Sequence, residues 1–222
     1  IHFLCGALIY LFIRLLLKLD SSVNNTQDKG RVLALIVSSI WLLHPLHLST
    51  VLYVVQRMTQ LSTLFVLCSL ISYLYARLQN QKNVKFWIFQ LFSWGVFFPL
   101  GILSKENAIL LPVFVFVLEV FFIRRNLISN ARAFYVTSIS FCFGLIASVL
   151  NQEQITRGYA WRNFDVWERL LTQSRVLVDY MGMLVVPAQR RMGFLHDDYV
   201  ISKSLFDPWT TLLSLLIISG II

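Results

Sequence analysis

The stretch that decides the fold is Phe86–Ile123, which reads FWIFQLFSWGVFFPLGIL, then SKEN, then AILLPVFVFVLEVFFI. Two long apolar blocks joined by a short polar connection are typical of helices that cross a membrane, and not of a soluble core. Because hydrocarbon offers a peptide backbone no hydrogen bonds, each block is predicted to be a helix.

The same pattern extends over the whole chain. Hydrophobic residues make up 57% of the 222 residues and charged residues 14%, whereas a soluble domain is nearer half apolar and a quarter charged. We therefore predict an all-α, polytopic membrane helical bundle. Its seven predicted spans, each somewhat shorter than the usual ~20 residues, are Phe3–Leu17, Val32–Leu48, Thr59–Tyr75, Phe86–Leu103, Ala108–Ile123, Phe134–Leu150 and Trp209–Ile222.

The chain opens and closes inside apolar runs, at Ile1 and at Ile222. We therefore expect residues 1–222 to be one transmembrane domain, a piece of a longer protein that continues at both ends. No basic n-region with a cleavage site for a signal peptide is visible in the sequence.

The net charge of +8 comes mainly from short loops, and no soluble domain presents a basic face. Nucleic acid is therefore not an expected partner, whereas membrane lipid is. Lys18–Arg31, Ala76–Lys85 and Arg124–Arg132 hold dense Lys/Arg clusters, which predicts that they are cytoplasmic. His44–Arg57 and Ser104–Asn107 would then lie on the opposite face.

The stretch 151–208 is predicted to be a long extra-cytoplasmic loop. Within it, Val176–Val186 is apolar except for Asp179. A segment of about 11 apolar residues is too short to cross a membrane, so we predict that it is re-entrant or interfacial.

Polar residues gather on the predicted non-cytoplasmic side, and ionisable groups at membrane depth tend to mark a site. Basic side chains there would bind a lipid phosphate, and a carboxylate would act as a base toward an acceptor hydroxyl. The candidates for binding phosphate are Arg57, Lys105, Arg175 and His196. The candidate catalytic carboxylates are Glu106 and Asp197, and the candidate supporting residues are His44 and Gln56.

Simpler interpretations stay open for the same residues. In one alternative, the Arg57 and Lys105 side chains extend along apolar surface to place their charges at the membrane–water interface. In another, Lys105-Glu106 marks only a helix boundary. His44-Pro45 is typical of a helix stop. Glu119 is interpreted as a residue at headgroup level and not as a catalyst.

Taken together, several strings resemble those of a known family, the bacterial relatives of the transmembrane and tetratricopeptide-repeat O-mannosyltransferases. The most specific is His44–Leu61, HPLHLSTVLYVVQRMTQL. Three shorter motifs follow in the same order as in that family: Leu103–Asn107 (LSKEN), Leu171–Val176 (LTQSRV), and His196-Asp197 followed by Pro208. The resemblance covers roughly residues 30–215.

This resemblance implies a GT-C-type glycosyltransferase fold in the bacterial inner membrane, with its site on the periplasmic face. The implied substrates are a sugar on a polyprenyl-phosphate carrier and a Ser or Thr hydroxyl of an acceptor protein. Many such enzymes use a divalent metal ion, and their relatives often carry tetratricopeptide repeats after the membrane domain. Two features depart from the pattern. Ser49 stands where many relatives have an acidic residue, and the first extra-cytoplasmic loop, which supplies an Asp in such enzymes, would precede Ile1.

Two alternatives of other classes stay open. One is a polymerase or ligase of lipid-linked surface polysaccharide, and the other is a non-catalytic membrane scaffold for a periplasmic repeat domain. A transporter is disfavoured because the sequence has no inverted repeat.

Overall fold

Helices make up every described element of the chain. The structure, a computed structural model, describes residues 1–19, 27–79, 83–123, 164–187 and 199–221. Within those ranges no strand occurs, which confirms the predicted all-α class. The chain divides into two compact units, Ile1–Leu145 and Ile146–Ile222.

The described part of the first unit contains six helices, of which the last three are long and apolar enough to cross a membrane. The first three are α1 (His2–Leu19), α2 (Gln27–Leu43) and α3 (His47–Leu52). The last three are the long helices α4 (Val54–Leu78), α5 (Val84–Ser104) and α6 (Glu106–Ile123), of 25, 21 and 18 residues. Each long helix extends a predicted span into its polar flanks, and by length and composition the three indicate a helical membrane protein.

The second predicted span is wrong at its end. It was expected to continue to Leu48, but α2 ends at Leu43 and a separate short helix begins at His47. Pro45 accounts for the break, because proline disfavours a helical residue before it and donates no backbone hydrogen bond. The span Phe134–Leu150 lies outside the described residues, so the number of seven spans stays a prediction.

Contacts between the helices fix their directions in the first unit. α4 and α5 run antiparallel, because Lys105 contacts Thr59 while the Tyr75 and Phe89 rings stack 5.6 Å apart. α6 returns parallel to α4, since Glu119 reaches Arg77.

α1 also runs parallel to α4, with Cys5 against the Gln60 backbone, and α2 runs antiparallel to α1, with His2 against Leu42. The bundle therefore has two ends. The Lys105 end holds His2, His44–Thr59 and Lys105, and the Arg77 end holds Arg77 and Glu119.

The core of this unit is an apolar cluster toward the Arg77 end. α1, α4 and α6 supply its buried side chains, and most other large apolar side chains of the unit point outward. Such exposed apolar faces suit a lipid surrounding. The core members include Leu15, Leu74, Leu111 and Val115.

A serine pair joins α4 to α5. The Ser69 hydroxyl donates to the Ser93 backbone oxygen at 2.9 Å and the Ser93 hydroxyl donates to the Ser69 backbone oxygen at 3.0 Å. Ser93 lies in a π-helical segment, Leu91–Phe97, just before Pro99. Proline cannot donate to the carbonyl four residues earlier and crowds it, which accounts for the wider turn. Small hydroxyl residues of this kind hold membrane helices together.

A buried ion pair joins α4 to α6. The Arg77 guanidinium contacts the Glu119 carboxylate through Nε at 2.6 Å and through a terminal nitrogen at 3.0 Å. Tyr73 donates its hydroxyl to the same carboxylate at 2.5 Å. One sequence interpretation is therefore wrong, because Arg77 belongs to a helix and not to a loop. Glu119 is fully buried within the bundle, and its position at headgroup level stays a prediction.

The second unit contains two described helices, α7 (Val166–Val185) and α8 (Thr210–Ile221). α7 begins with a capping box in which Glu168 accepts the Asp165 backbone N–H at 3.0 Å. The predicted re-entrant segment is the second half of this longer, amphipathic helix. Whether it enters the membrane stays a prediction.

Candidate functional site

Lys105 occupies the break between α5 and α6, where its backbone is extended at φ −164° and ψ 143°. Its half-buried ammonium donates to the Thr59 hydroxyl at 2.6 Å, and its backbone oxygen accepts from Ser62 at 3.5 Å. No carboxylate of the described residues lies within ion-pairing distance of it. An ammonium has three donors, so two remain for other groups.

Thr59 connects Lys105 to Gln56. Its hydroxyl accepts from the lysine and donates to the Gln56 side-chain oxygen at 2.9 Å. The predicted residues Lys105 and Gln56 are therefore brought together through a third residue that the sequence interpretation did not select. The spacing from 56 to 59, one turn of a helix, is the signal that would have identified it.

Arg57 and Glu106 lie at the same end. Arg57 is exposed at the first α-helical residue of α4, and Glu106 is exposed at the first residue of α6. Among the described residues neither charge has a hydrogen-bond or ion-pair partner. Arg57 directly follows Gln56, and Glu106 directly follows Lys105. Among the described residues, this group at the Lys105 end therefore presents two cations and one carboxylate.

Four aromatic rings cluster beside this polar group. The Trp41 ring lies 5.1 Å from the His2 ring and 4.4 Å from the His47 ring, and His44 lies 6.3 Å from His47 between ring centroids. His44 was predicted as a supporting residue. Its Nδ1 accepts the Leu46 backbone N–H at 3.3 Å, which stabilises the turn after α2.

Burial lowers the pKa of His47 below its ordinary value of 6.5, and the neighbouring His2 and His44 lower it further. His47 lies outside the three long helices. The lowered pKa favours the neutral imidazole at this end of the bundle.

Arg175 lies in α7 of the second unit and is bound within that unit. Its guanidinium donates to the Val200 backbone oxygen at 2.8 Å and contacts the Ser202 hydroxyl at 3.3 Å. It also lies over the Tyr199 ring, 5.5 Å from its centroid. These contacts hold the segment before α8 against α7.

The two remaining candidates, His196 and Asp197, lie outside the described residues. The first unit therefore brings together Arg57, Lys105, Glu106 and Gln56. The predicted joining of that group with Arg175 stays a prediction.

A divalent ion has no evident place in the described part of the chain, where no group of three His, Cys, Asp or Glu side chains is arranged to hold a metal. Comparison with protein-family models, curated proteins and solved structures finds no match for this chain. The family resemblance therefore rests on its sequence motifs alone.

Proposed function

We propose that this protein is a membrane glycosyltransferase that moves a sugar from a polyprenyl-phosphate carrier to a Ser or Thr hydroxyl of an acceptor protein. In this proposal the bundle is GT-C-like, and the Lys105 end faces the periplasm. The observation that carries the proposal is the half-buried Lys105 ammonium. It is positioned by Thr59 and has no carboxylate to neutralise it among the described residues.

An uncompensated cation at the end of a membrane bundle suits an anionic lipid headgroup. Lys105 has two further donors for phosphate oxygens, and Arg57 adds a guanidinium whose planar fork matches phosphate. The N-termini of α4 and α6 lie at the same end, and their helix dipoles add positive potential there. This potential stabilises the negative charge that develops on the departing phosphate.

The transfer step then follows from these groups. The acceptor oxygen attacks the anomeric carbon, the bond from that carbon to the phosphate oxygen breaks, and the carrier phosphate leaves with the bonding electrons. A carboxylate takes the acceptor's proton. Glu106 is the candidate base within the described residues, since it adjoins Lys105 and its carboxylate is exposed. Asp197 is the second candidate.

The test compares variants at the two ends of the bundle. The full chain is reconstituted in nanodiscs, and binding of polyprenyl phosphate is measured with Lys105→Ala and Arg57→Ala. Loss of one charge-assisted contact, about 1.5–3 kcal/mol, should weaken binding by roughly ten- to a hundredfold. Exposed cations at the Arg77 end serve as matched controls. Lys85→Ala and Arg31→Ala should bind as the wild type does.

Transfer to a Ser/Thr peptide is measured in parallel. Glu106→Gln should lower transfer more than carrier binding if that carboxylate is the base. Equal binding by Lys105→Ala and Lys85→Ala would contradict the proposal. Binding of the carrier without any transfer to peptide would favour the polysaccharide polymerase or ligase, and no binding at all would favour the scaffold.

A further inference from the structure

The connection between α2 and α4 exposes apolar side chains and turns its polar ones inward. We call residues 45–56 the connecting segment, which contains α3 and the first turn of α4. Its Ser, Thr, His and Gln side chains are all half-buried, and it has no Asp, Glu, Lys or Arg. A helix in water shows the reverse order, with its apolar residues toward the core. Five of its aliphatic side chains are 43–73% exposed, namely Leu48, Val51, Leu52, Val54 and Val55.

The inner side of the connecting segment is bound to α4. The Gln60 side chain donates to the Thr50 backbone oxygen at 2.8 Å. The Thr59 hydroxyl donates to the Gln56 side-chain oxygen at 2.9 Å. Because these contacts fix one side of the connecting segment against the bundle, the five aliphatic side chains are held on its outer side.

Both ends of the connecting segment lie at the same end of the bundle. α2 runs antiparallel to α1, and α1 runs parallel to α4, so α2 ends where α4 begins. α3 has six residues and is therefore about 9 Å long. The hydrocarbon core of a bilayer is about 30 Å thick, so the connecting segment does not cross it. It enters and leaves on one face of the membrane and runs along that face.

The apolar surface of the long helices continues to the connecting segment. Met58 of α4, Leu103 of α5 and Ile109 of α6 are all exposed at the Lys105 end. These three helices are the ones long and apolar enough to cross a membrane, and their exposed apolar faces suit lipid. A contiguous apolar patch is unusual on a surface that faces water. Lipid of the surrounding leaflet is therefore the occupant that fits both surfaces.

We infer that the connecting segment inserts into the lipid leaflet at the Lys105 end, parallel to the membrane plane, with its five aliphatic side chains among the acyl chains. An in-plane segment of this kind lies about 5–10 Å into the boundary between headgroups and acyl chains. The inference goes beyond the proposed function, because the connecting segment anchors this end of the bundle whichever anion Lys105 binds. Gln56, its last residue, is joined to Lys105 through Thr59, so insertion keeps the ammonium next to the lipid headgroups.

The test measures the depth of single positions in the membrane. The full chain is reconstituted in phosphatidylcholine vesicles, with a ketone-bearing amino acid in place of Leu52 or of Val55. A nitroxide attached to the ketone leaves the native cysteines unlabelled. Power saturation of its paramagnetic resonance signal compares its exposure to oxygen, which dissolves in hydrocarbon, and to a water-soluble nickel chelate. Both labels should be reached by oxygen and shielded from nickel, at about 5–10 Å below the lipid phosphates.

Two further labelled positions calibrate the depth. Asp28, in the first turn of α2 at the Arg77 end, has a side chain that is 93% exposed and should be reached by nickel. Leu91, which is exposed within α5, should be shielded from nickel and lie deeper than Leu52 and Val55. Since Leu52 and Val55 are themselves exposed, the label displaces no packed side chain there. An unchanged circular dichroism spectrum checks the fold of each variant.

Three outcomes would overturn the inference. Exposure of both labels to nickel, as at Asp28, would place the connecting segment in water. Exclusion of oxygen as well as nickel would mean that protein covers it. A depth equal to that of Leu91 would place it in the hydrocarbon core and not at the interface. The measurement uses neither carrier nor acceptor, so its failure would leave the proposed function to its own test.

Discussion

Replacing Glu119 by glutamine keeps the shape of the side chain and removes its charge, while Arg77 stays buried opposite it. The two side chains are 0% and 2% exposed. The carboxylate accepts a hydrogen bond from a terminal nitrogen of the guanidinium, lies 2.6 Å from its Nε, and accepts a second hydrogen bond from the Tyr73 hydroxyl. In Glu119→Gln the arginine therefore keeps its charge and loses its counterion in a site that water does not reach.

The size of the effect follows from this burial. Breaking a buried pair by removing one partner costs about 3–5 kcal/mol, a large part of a typical total stability of about 5–15 kcal/mol. The unfolded-to-folded ratio should rise by roughly a hundred- to several thousandfold. The double variant Arg77→Met/Glu119→Leu removes both charges and should unfold near the wild-type midpoint or above it, because apolar replacement of a buried pair is often neutral or stabilising.

Reversible unfolding in bicelles, followed by far-ultraviolet circular dichroism, gives the free energy of unfolding of each variant. Glu106→Gln is the matched control, since it makes the same change at the exposed start of α6, where surface substitutions shift stability by about 0.5 kcal/mol or less. If Glu119→Gln lies within about 1 kcal/mol of the wild type, or if the double variant is the least stable of the set, the buried pair does not hold α4 and α6 together.

Three further predictions concern the packing of the first unit. Ser93→Ala leaves the Ser69 hydroxyl without one partner and should lower the free energy of unfolding by about 0.6–1.7 kcal/mol, measured as above; a gain in stability would contradict the paired geometry. The free energy of unfolding should fall as the pH drops below 6.5, the ordinary His47 pKa, because a pKa lowered in the folded state stabilises the fold above that value and the benefit is lost on protonation. His47→Gln should flatten this part of the pH profile, and an unchanged profile would exclude His47 as its source. Gly101→Leu should destabilise by about 1–3 kcal/mol, since an added Cβ already lies 3.0 Å from that of Ala108, and Ile102→Leu, at an exposed neighbouring position, is its control.

The long helices could be predicted because their signal is local. An apolar run long enough to cross a membrane can be recognised from its own residues, without knowledge of its neighbours in the fold. α5 accordingly begins and ends within two residues of the predicted span Phe86–Leu103. The error in α2 had a local cause as well. Proline at position 45 outweighed the apolar residues on either side of it, and the helix ended at Leu43.

α7 shows where this method fails. It is amphipathic, so a search for continuous apolar residues found only its second half. The capping box of Asp165 and Glu168 was the available signal for its start.

The buried pair and the Lys105 contacts were harder to predict, because both depend on which helices are neighbours. Glu119 lies 42 positions after Arg77 and Lys105 lies 46 positions after Thr59. Hydropathy gives no information on pairing at such distances. The polar residues at the Lys105 end could nevertheless be grouped in advance, since alternating helix direction alone brings His44–Arg57 and Ser104–Asn107 to one side.

Two cations of the helix bundle, Arg77 and Lys105, have opposite surroundings. At the Arg77 end, the buried guanidinium is paired with a carboxylate that also accepts from a tyrosine hydroxyl, as expected of a charge whose role is to join helices. At the Lys105 end, the half-buried ammonium donates to one neutral hydroxyl among the described residues, although Glu106 is its neighbour in the chain and remains exposed. A purely structural lysine would gain by pairing with that carboxylate or by extending fully into water. Among the described residues Lys105 does neither, and the lipid phosphate that we propose as its ligand would complete its coordination.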